Sequence, residues 1–496
     1  MESQNNKEKA SYRSILKATS LFGGLQIYII LIQVIRSKVI AVLLGPIGVG
    51  IEGLFKSGIE LVQSVVSLGL ANSAVREVAD AKGTDDENKI SRVIFLIKKL
   101  VWLTGLLGIF VFAVLSPWLS KFSFGNQDYT VPFILLSVIL FFDQICAGQK
   151  VVLQGLSKYK QLAKATAYGT TVGLLVSVPM YYFVGVDGIV PTLILNSLCA
   201  LLFSWYFSKQ IPIKKTELGI KNIFSESHNM IKMGFSICLS TAEAGLIAYL
   251  LRSYIRLEGG TESVGFFQAG FVLVNSYVGL VFNAMSTDFY PRLANVNKDN
   301  FKCRRIINEQ GVVALCLLTP IVVSFITFLP IVIYILYTNE FQVIGLYILW
   351  ASLGMMFRLS SWLVSFMFLA KGVAKLFIIN ETIAKIYFFV FNIVGYKYGG
   401  LEGLGIAFAL SYFVYTIQVY SIAHVKYVFK YSSDFLRLFL LMLVFVIITI
   451  VVCKLPLAYR YSLGSLMIII SFMTSYKILD KKMNVGQLIK TKLRTK

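Results

Sequence analysis

The sequence predicts an all-α polytopic membrane protein. It reads as about fourteen transmembrane helices, in two pseudo-symmetric six-helix lobes plus two extra helices near the C-terminus. Three observations carry this. Of 496 residues, 57% are apolar and 15% charged, with a mean hydropathy of +0.74, against about 25% charged residues in soluble domains. Apolar runs long enough to cross roughly 30 Å of hydrocarbon recur along the whole chain. Lysine and arginine crowd into every second connection between those runs.

Residues 1–13 are polar and carry no cleavage motif, so no signal peptide is expected. Spans follow at 18–42, 47–71, 94–118, 128–152, 162–184 and 187–208. A polar segment, 209–228, leads into 230–254, 263–289, 311–336, 341–369, 373–396 and 401–424. Spans at 435–454 and 460–479 precede a basic tail. With the N-terminus inside, the inside connections hold clusters such as Arg76, Lys82, Lys89 and Arg92, or Arg292, Lys302, Arg304 and Arg305. The outside ones hold little beyond Lys121, Lys397, Lys454 and Arg460. The alternation never inverts, so both termini read as cytoplasmic. The net charge of +22 therefore reflects topology and attraction to lipid surfaces, not a nucleic-acid stripe. Five cysteines in apolar runs and Cys303 in a basic loop, without C-x-x-C, argue for neither a disulfide framework nor a zinc site.

A repeat at an offset of 215–217 residues organises the spans. Ile35-Arg36-Ser37 matches Leu251-Arg252-Ser253, and Val49-Gly50 matches Val264-Gly265. Gly155-x-x-Lys158 matches Gly372-x-x-Lys375, and Gly185-Val-Asp-Gly-Ile matches Gly400-Leu-Glu-Gly-Leu. Six spans per copy is even, so the copies share one orientation. The expected organisation is an N-lobe at 1–212, a C-lobe at 213–430, and an appendix with basic tail at 431–496. A cleft between the lobes is the expected substrate site.

Charge inside spans is costly, so each case needs a reason. Glu52, Lys56 and Glu60 stand four residues apart in span 2, within roughly 80° of one another on a helix, with the two acids about 12 Å apart. One lysine neutralises one carboxylate. The other must be protonated, hydrated or paired elsewhere, and Glu60 is the candidate to alternate between a proton and a cationic partner. Arg36, Arg252, Arg256 and Arg358 also lie in spans, with Lys38 beside the first. Arg36 and Arg252 occupy equivalent places in the repeat, either facing each other or anchoring helices at the outer interface. Asp143 and Arg358 are equivalent too. They form either a lobe-bridging ion pair or two charges satisfied within their own lobes. Gln268, Asn275 and Asn283 share one face of span 8, as a polar wall or as helix–helix glue.

The runs Lys38-Val-Ile-Ala-Val-Leu-Leu-Gly-Pro-Ile-Gly-Val-Gly-Ile, Leu68-Gly-Leu-Ala-Asn-Ser-Ala-Val-Arg-Glu-Val-Ala and Ser286-Thr-Asp-Phe-Tyr-Pro-Arg-Leu resemble the Wzx-type flippases of the MOP superfamily. The resemblance covers about 20–430. It implies a MATE-like, alternating-access transporter of undecaprenyl-diphosphate-linked oligosaccharides for O-antigen-like polysaccharide. The implied setting is the bacterial inner membrane, beside polysaccharide polymerase machinery. For such a substrate Arg36, Lys38, Arg252, Arg256, Arg358, Gln268 and Asn275 are the candidate diphosphate and sugar contacts. Glu52, Lys56, Glu60 and Asp143 are the candidate coupling or gating groups. No catalytic residue, metal site or cofactor is expected, and a proton or sodium ion is the candidate coupling ion. A multidrug or metabolite antiporter shares the architecture, but several intramembrane arginines favour an anion over cationic drugs. A membrane polysaccharide polymerase or glycosyltransferase would need larger extramembrane acid, base or metal-ligating regions than these short outside loops supply.

Overall fold

The computed structural model describes residues 2–84, 86–211 and 220–483, with side chains described from Gly24 onward except at 72, 220–237, 277–278, 280, 283–284, 286–288, 374 and 483. Among these residues the chain is helical and holds no strand. It forms two compact units, Met1–Gly265 and Phe266–Lys496.

In the first unit, α1 (Glu2–Val66) contains spans 1 and 2 as one helix bent at Gly45 (φ 64°, ψ −169°), directly before Pro46. A short helix, α2 (Leu70–Lys82), follows, then α3 (Glu87–Phe124), α4 (Thr130–Gly155), α5 (Tyr159–Val184) and α6 (Ile189–Lys209). The first part of α7 (Ile220–Asn295), through Gly265, also belongs to this unit. Tyr249 fastens it there, accepting from Ser123 Oγ at 3.0 Å and donating to the Leu119 carbonyl at 3.2 Å. The packing boundary thus falls about one helix later than the repeat boundary at 212/213.

The second unit continues with α8 (Asn300–Thr327), α9 (Leu329–Leu336), α10 (Gly345–Ala370), α11 (Ala374–Tyr427), α12 (Ser433–Val452) and α13 (Leu457–Met483). Nine helical stretches among the described residues are long and apolar enough to cross a membrane, a criterion that does not establish the expected fourteen. Three of them, of 43, 51 and 53 residues, are at least twice the roughly 20 residues one crossing needs.

The repeat is written into the backbone. Left-handed φ occurs at Gly45 and Gly260, at Ser157 and Gly372, and at Gly185 and Gly400, each pair 215 residues apart. Gly50 and Gly265, also 215 apart, cross in direct contact. A Cβ on Gly50 would sit 2.0 Å from the Thr261 carbonyl oxygen, and one on Gly265 would sit 1.9 Å from that of Pro46. Only residues without side chains allow two helix backbones so close.

Span 9 departs from expectation. The continuous helix read at 311–336 breaks at Phe328, between α8 and α9. Pro330 is the reason: it has no N–H for the carbonyl of Ile326, four residues back, and its ring crowds that position. Arg460, at the start of α13, supplies the missing donors. Its Nη2 lies 2.7 Å from the Ile326 oxygen, its Nε 3.1 Å from that of Thr327, and Nη1 3.4 Å from that of Cys453. One side chain, 9% exposed, therefore closes the ends of α8 and α12 together.

Gly265→Ala is expected to destabilise the purified protein by about 1–3 kcal/mol, whereas Gly279→Ala, with nothing within 4 Å of its Cβ, should leave thermal unfolding unchanged. Arg460→Gln, which strips charged donors from buried carbonyls, should cost about 2 kcal/mol in the same assay.

Candidate functional site

The polar ladder of span 2 resolves into two unlike parts. Lys56 Nζ lies 2.8 Å from Glu52 Oε1, an ion pair whose approach angle does not make a hydrogen bond. Glu52 is 7% exposed, so this carboxylate is buried against its own lysine. Glu60, two turns further along, is exposed to a cavity of about 340 Å³ within the first unit. Lys56 lines the same cavity, so the lysine lies between a buried acid and an open one.

Four elements wall the cavity. α1 brings Arg36, Lys56 and Glu60; α4 brings Asp143; α5 brings Gly169 and Thr170; α6 brings Asn196 and Ser197. Four residues that the sequence marked out separately, from three different spans, therefore share one space. Arg36 is held by one edge only. Its Nη2 donates to Ser177 Oγ at 3.3 Å, and Ser177 in turn donates to the Gly173 carbonyl at 2.7 Å and accepts from Asn196 Nδ2 at 3.1 Å. Arg36 Nε is buried without any partner. Arg36 lines the cavity and gives one outer nitrogen to Ser177, so its guanidinium keeps donor capacity for an acceptor that arrives from outside. Asp143 accepts from Ser197 Oγ, so it is satisfied within its own unit. Its neighbour Gln144 instead donates to Thr104 at 3.0 Å.

Not every candidate joins this site. Arg252, 7% exposed, donates to the Ala248 carbonyl at 3.1 Å on its own helix and does not line the cavity. Arg256 lies with its guanidinium across Gly125, the left-handed residue that ends α3, so closely that a Cβ there would meet Nη1 at 2.3 Å. A cation at a helix C-terminus is the helix-anchoring arrangement. Lys38 is half-buried beside Arg36's turn and lines no part of this cavity.

In the second unit, Arg358 Nη1 donates to Asn275 Oδ1 at 2.8 Å, and its guanidinium lies 5.6 and 5.5 Å from the ring centres of Phe282 and Tyr412. Asn275 also donates to the Phe271 carbonyl at 2.8 Å. It acts as glue between α7 and α10 rather than as part of a bare polar wall. Gln268 is half-buried on the same helix, and the side chain of Asn283 lies outside the described residues. Asp143 and Arg358, equivalent in the repeat, thus each have a partner in their own unit.

The sequence reading missed Arg460, dismissed as a loop cation, and Ser177, which positions Arg36. It also missed the Tyr415 hydroxyl, which donates to Glu381 while Asn380 Nδ2 donates to it at 3.2 Å. Pro330 one turn past Ile326, in an apolar stretch, was the available signal for the first. The others carry none in a single sequence.

Repeated kinked helix pairs, with nine stretches among the described residues long and apolar enough to cross a membrane, define a multi-pass membrane protein. Residues 39–345 match the family described as polysaccharide biosynthesis protein, and the chain belongs to that family. Among curated proteins, the lipid III flippases of Escherichia coli (strain K12) and Shigella flexneri are each 22% identical over 393 residues, covering 76% of this chain and 90% of their own. Among solved structures, an inward-facing MATE-family multidrug resistance transporter of the MOP superfamily superposes with TM-score 0.68 at 17% identity, covering 81% of this chain and 94% of its own. The lipid II flippase MurJ in an inward closed conformation superposes with TM-score 0.63 at 15% identity, covering 94% and 99%. These likenesses establish the MOP fold.

Removing the lysine of the clasp isolates its role. Lys56→Met is expected to leave Glu52 buried and uncompensated and to destabilise the protein by about 3 kcal/mol. The double variant Glu52→Gln/Lys56→Met should recover most of that loss, and Glu60→Gln alone should not lower the thermal midpoint.

Proposed function

We propose that this protein is an alternating-access flippase. It carries an undecaprenyl-diphosphate-linked oligosaccharide from the cytoplasmic to the outer leaflet of a bacterial inner membrane, with both termini in the cytoplasm, and delivers it to polysaccharide polymerase machinery. Two cations lining one cavity, Arg36 and Lys56, carry this reading. A diphosphate is a multiply charged acceptor, and arginine presents paired donors to phosphate oxygens. Membership of the polysaccharide biosynthesis family and the likeness to proteins named as lipid flippases support the same substrate class. The MATE likeness is one of fold alone, and cations of the multidrug type would meet Arg36 unfavourably.

Glu60 opens onto the same cavity, where its carboxyl competes with the diphosphate for Lys56 and Arg36. The outward step moves net negative charge, which an inside-negative potential favours by about 2.3 kcal/mol per charge per 100 mV.

In proteoliposomes, transfer of a radiolabelled undecaprenyl-diphosphate oligosaccharide to the outer leaflet is expected for the wild type. Arg36→Gln should lose about tenfold or more of that rate, since hydrogen bonds to charged groups are worth about 1.5–3 kcal/mol. Glu60→Gln, which removes the competing carboxylate, should bind substrate more tightly than the wild type. Undiminished transfer by Arg36→Gln, or wild-type substrate affinity in Glu60→Gln, would refute these roles. Absence of transfer by the intact protein would refute the function.

A further inference from the structure

A second cavity, of about 680 Å³, lies wholly within the second unit and takes no part in the site above. Its walls come from three segments that the charge alternation assigns to the cytoplasmic side. Arg292 comes from the end of α7, Arg304 and Arg305 from the first turns of α8, and Lys482 from the end of α13. Glu309 is the one carboxylate among the lining residues, and it lies 3.6 Å from Arg305 Nε. Lys482 is shared with Asp434 at 3.0 Å.

The cavity is built rather than incidental. Arg304 Nε donates to the Lys430 carbonyl at 2.9 Å, which aligns the guanidinium and leaves its two outer nitrogens unused. Asn308, 7% exposed, locks the floor: its Oδ1 accepts from the Ser432 backbone N–H at 2.7 Å, and its Nδ2 donates to the Arg304 carbonyl at 2.8 Å. These bonds tie α8 to the segment entering α12 before any ligand arrives. One wall is apolar. Val313 lines it, and Phe301, 74% exposed, stands at its edge.

We propose that this cavity binds the phosphate headgroup of an anionic phospholipid from the cytoplasmic leaflet. A soluble anion would use the arginines but has no use for the exposed phenylalanine and half-buried valine. An anionic lipid uses both, placing phosphate on the guanidinium groups and glycerol and upper acyl chain along the apolar edge. The repeat offers no counterpart. Aligning the helix-capping Asp86 with Asp299 sets Ser91 and Arg92 opposite Arg304 and Arg305, and no helices equivalent to α12 and α13 complete a wall in the first copy. The two helices appended to the repeat thus acquire a role: they convert the basic start of α8 into a lipid site.

The test uses the full chain in vesicles of phosphatidylcholine with a minor fraction of phosphatidylglycerol, with retained lipids counted by native mass spectrometry. The wild type is expected to retain phosphatidylglycerol in preference to phosphatidylcholine. Arg304→Gln/Arg305→Gln should lose about tenfold of that preference, while Lys89→Gln/Arg92→Gln in the other copy keeps it. Val313→Trp fills the cavity without altering charge and should also lower retention, which covers the case of a poorly folded arginine variant. Equal preference in the wild type and both cavity variants overturns the proposal. Displacement of phosphatidylglycerol by an equal concentration of undecaprenyl diphosphate overturns the choice of phospholipid, and equal displacement by inorganic phosphate overturns that of a lipid.

Discussion

A backbone amide or carbonyl left unpaired in hydrocarbon costs several kcal/mol, and this constraint shapes nearly every irregularity in the chain. Helices must reverse direction with as little unpaired backbone as geometry permits. Gly45, Gly260 and Gly400 do so by placing one residue at positive φ between two helical stretches, and Gly185 does so between α5 and α6. A residue with a side chain would be strained there, so the reversals recur at the same register in both copies. Where a proline breaks the pattern in span 9, an arginine from a distant span answers it: Arg460 donates to the carbonyls that Pro330 leaves exposed. The break thereby becomes the point at which the last two helices are fastened.

The same constraint, applied to side chains, explains the ladder in span 2. A lone carboxylate within the bilayer is costly, yet Glu52 is nearly inaccessible because Lys56 compensates it within one helical turn. With Lys56 already engaged, Glu60 has no partner of its own on that helix, and the fold leaves it open to the cavity. The arrangement separates an ion pair from an open carboxylate only one turn away. Arg36 is built on similar lines: Ser177 fixes one edge of the guanidinium while the residue still lines the cavity.

Much of this was legible from residues alone. The period of the repeat, the turn glycines and the clustering of Glu52, Lys56 and Glu60 on one face follow from spacing, which is a property of the chain. What spacing does not encode is the identity of a partner across space. Arg36 and Arg252 look equivalent in sequence, yet one reaches a cavity and the other turns to its own helix at Ala248. Arg256 reads as a substrate cation until Gly125 is seen beneath it. Asn275 reads as a polar wall until Arg358 is seen to use it. In each case the sequence identifies a polar group that needs satisfaction, and only tertiary packing decides what satisfies it.

That distinction also accounts for the asymmetry between two copies of one architecture. Backbone features are shared because any departure at a glycine reversal costs stability in both copies alike. Charged side chains are under no such bond, so equivalent positions carry Asp143 in one copy and Arg358 in the other, each settled with a neighbour in its own unit. Divergence of the charges under a conserved backbone is how a duplicated scaffold acquires two unlike halves. The first unit keeps an open carboxylate beside an incompletely bonded arginine. The second stacks its arginine between rings and gathers further cations at the start of α8, where α13 completes a wall around them.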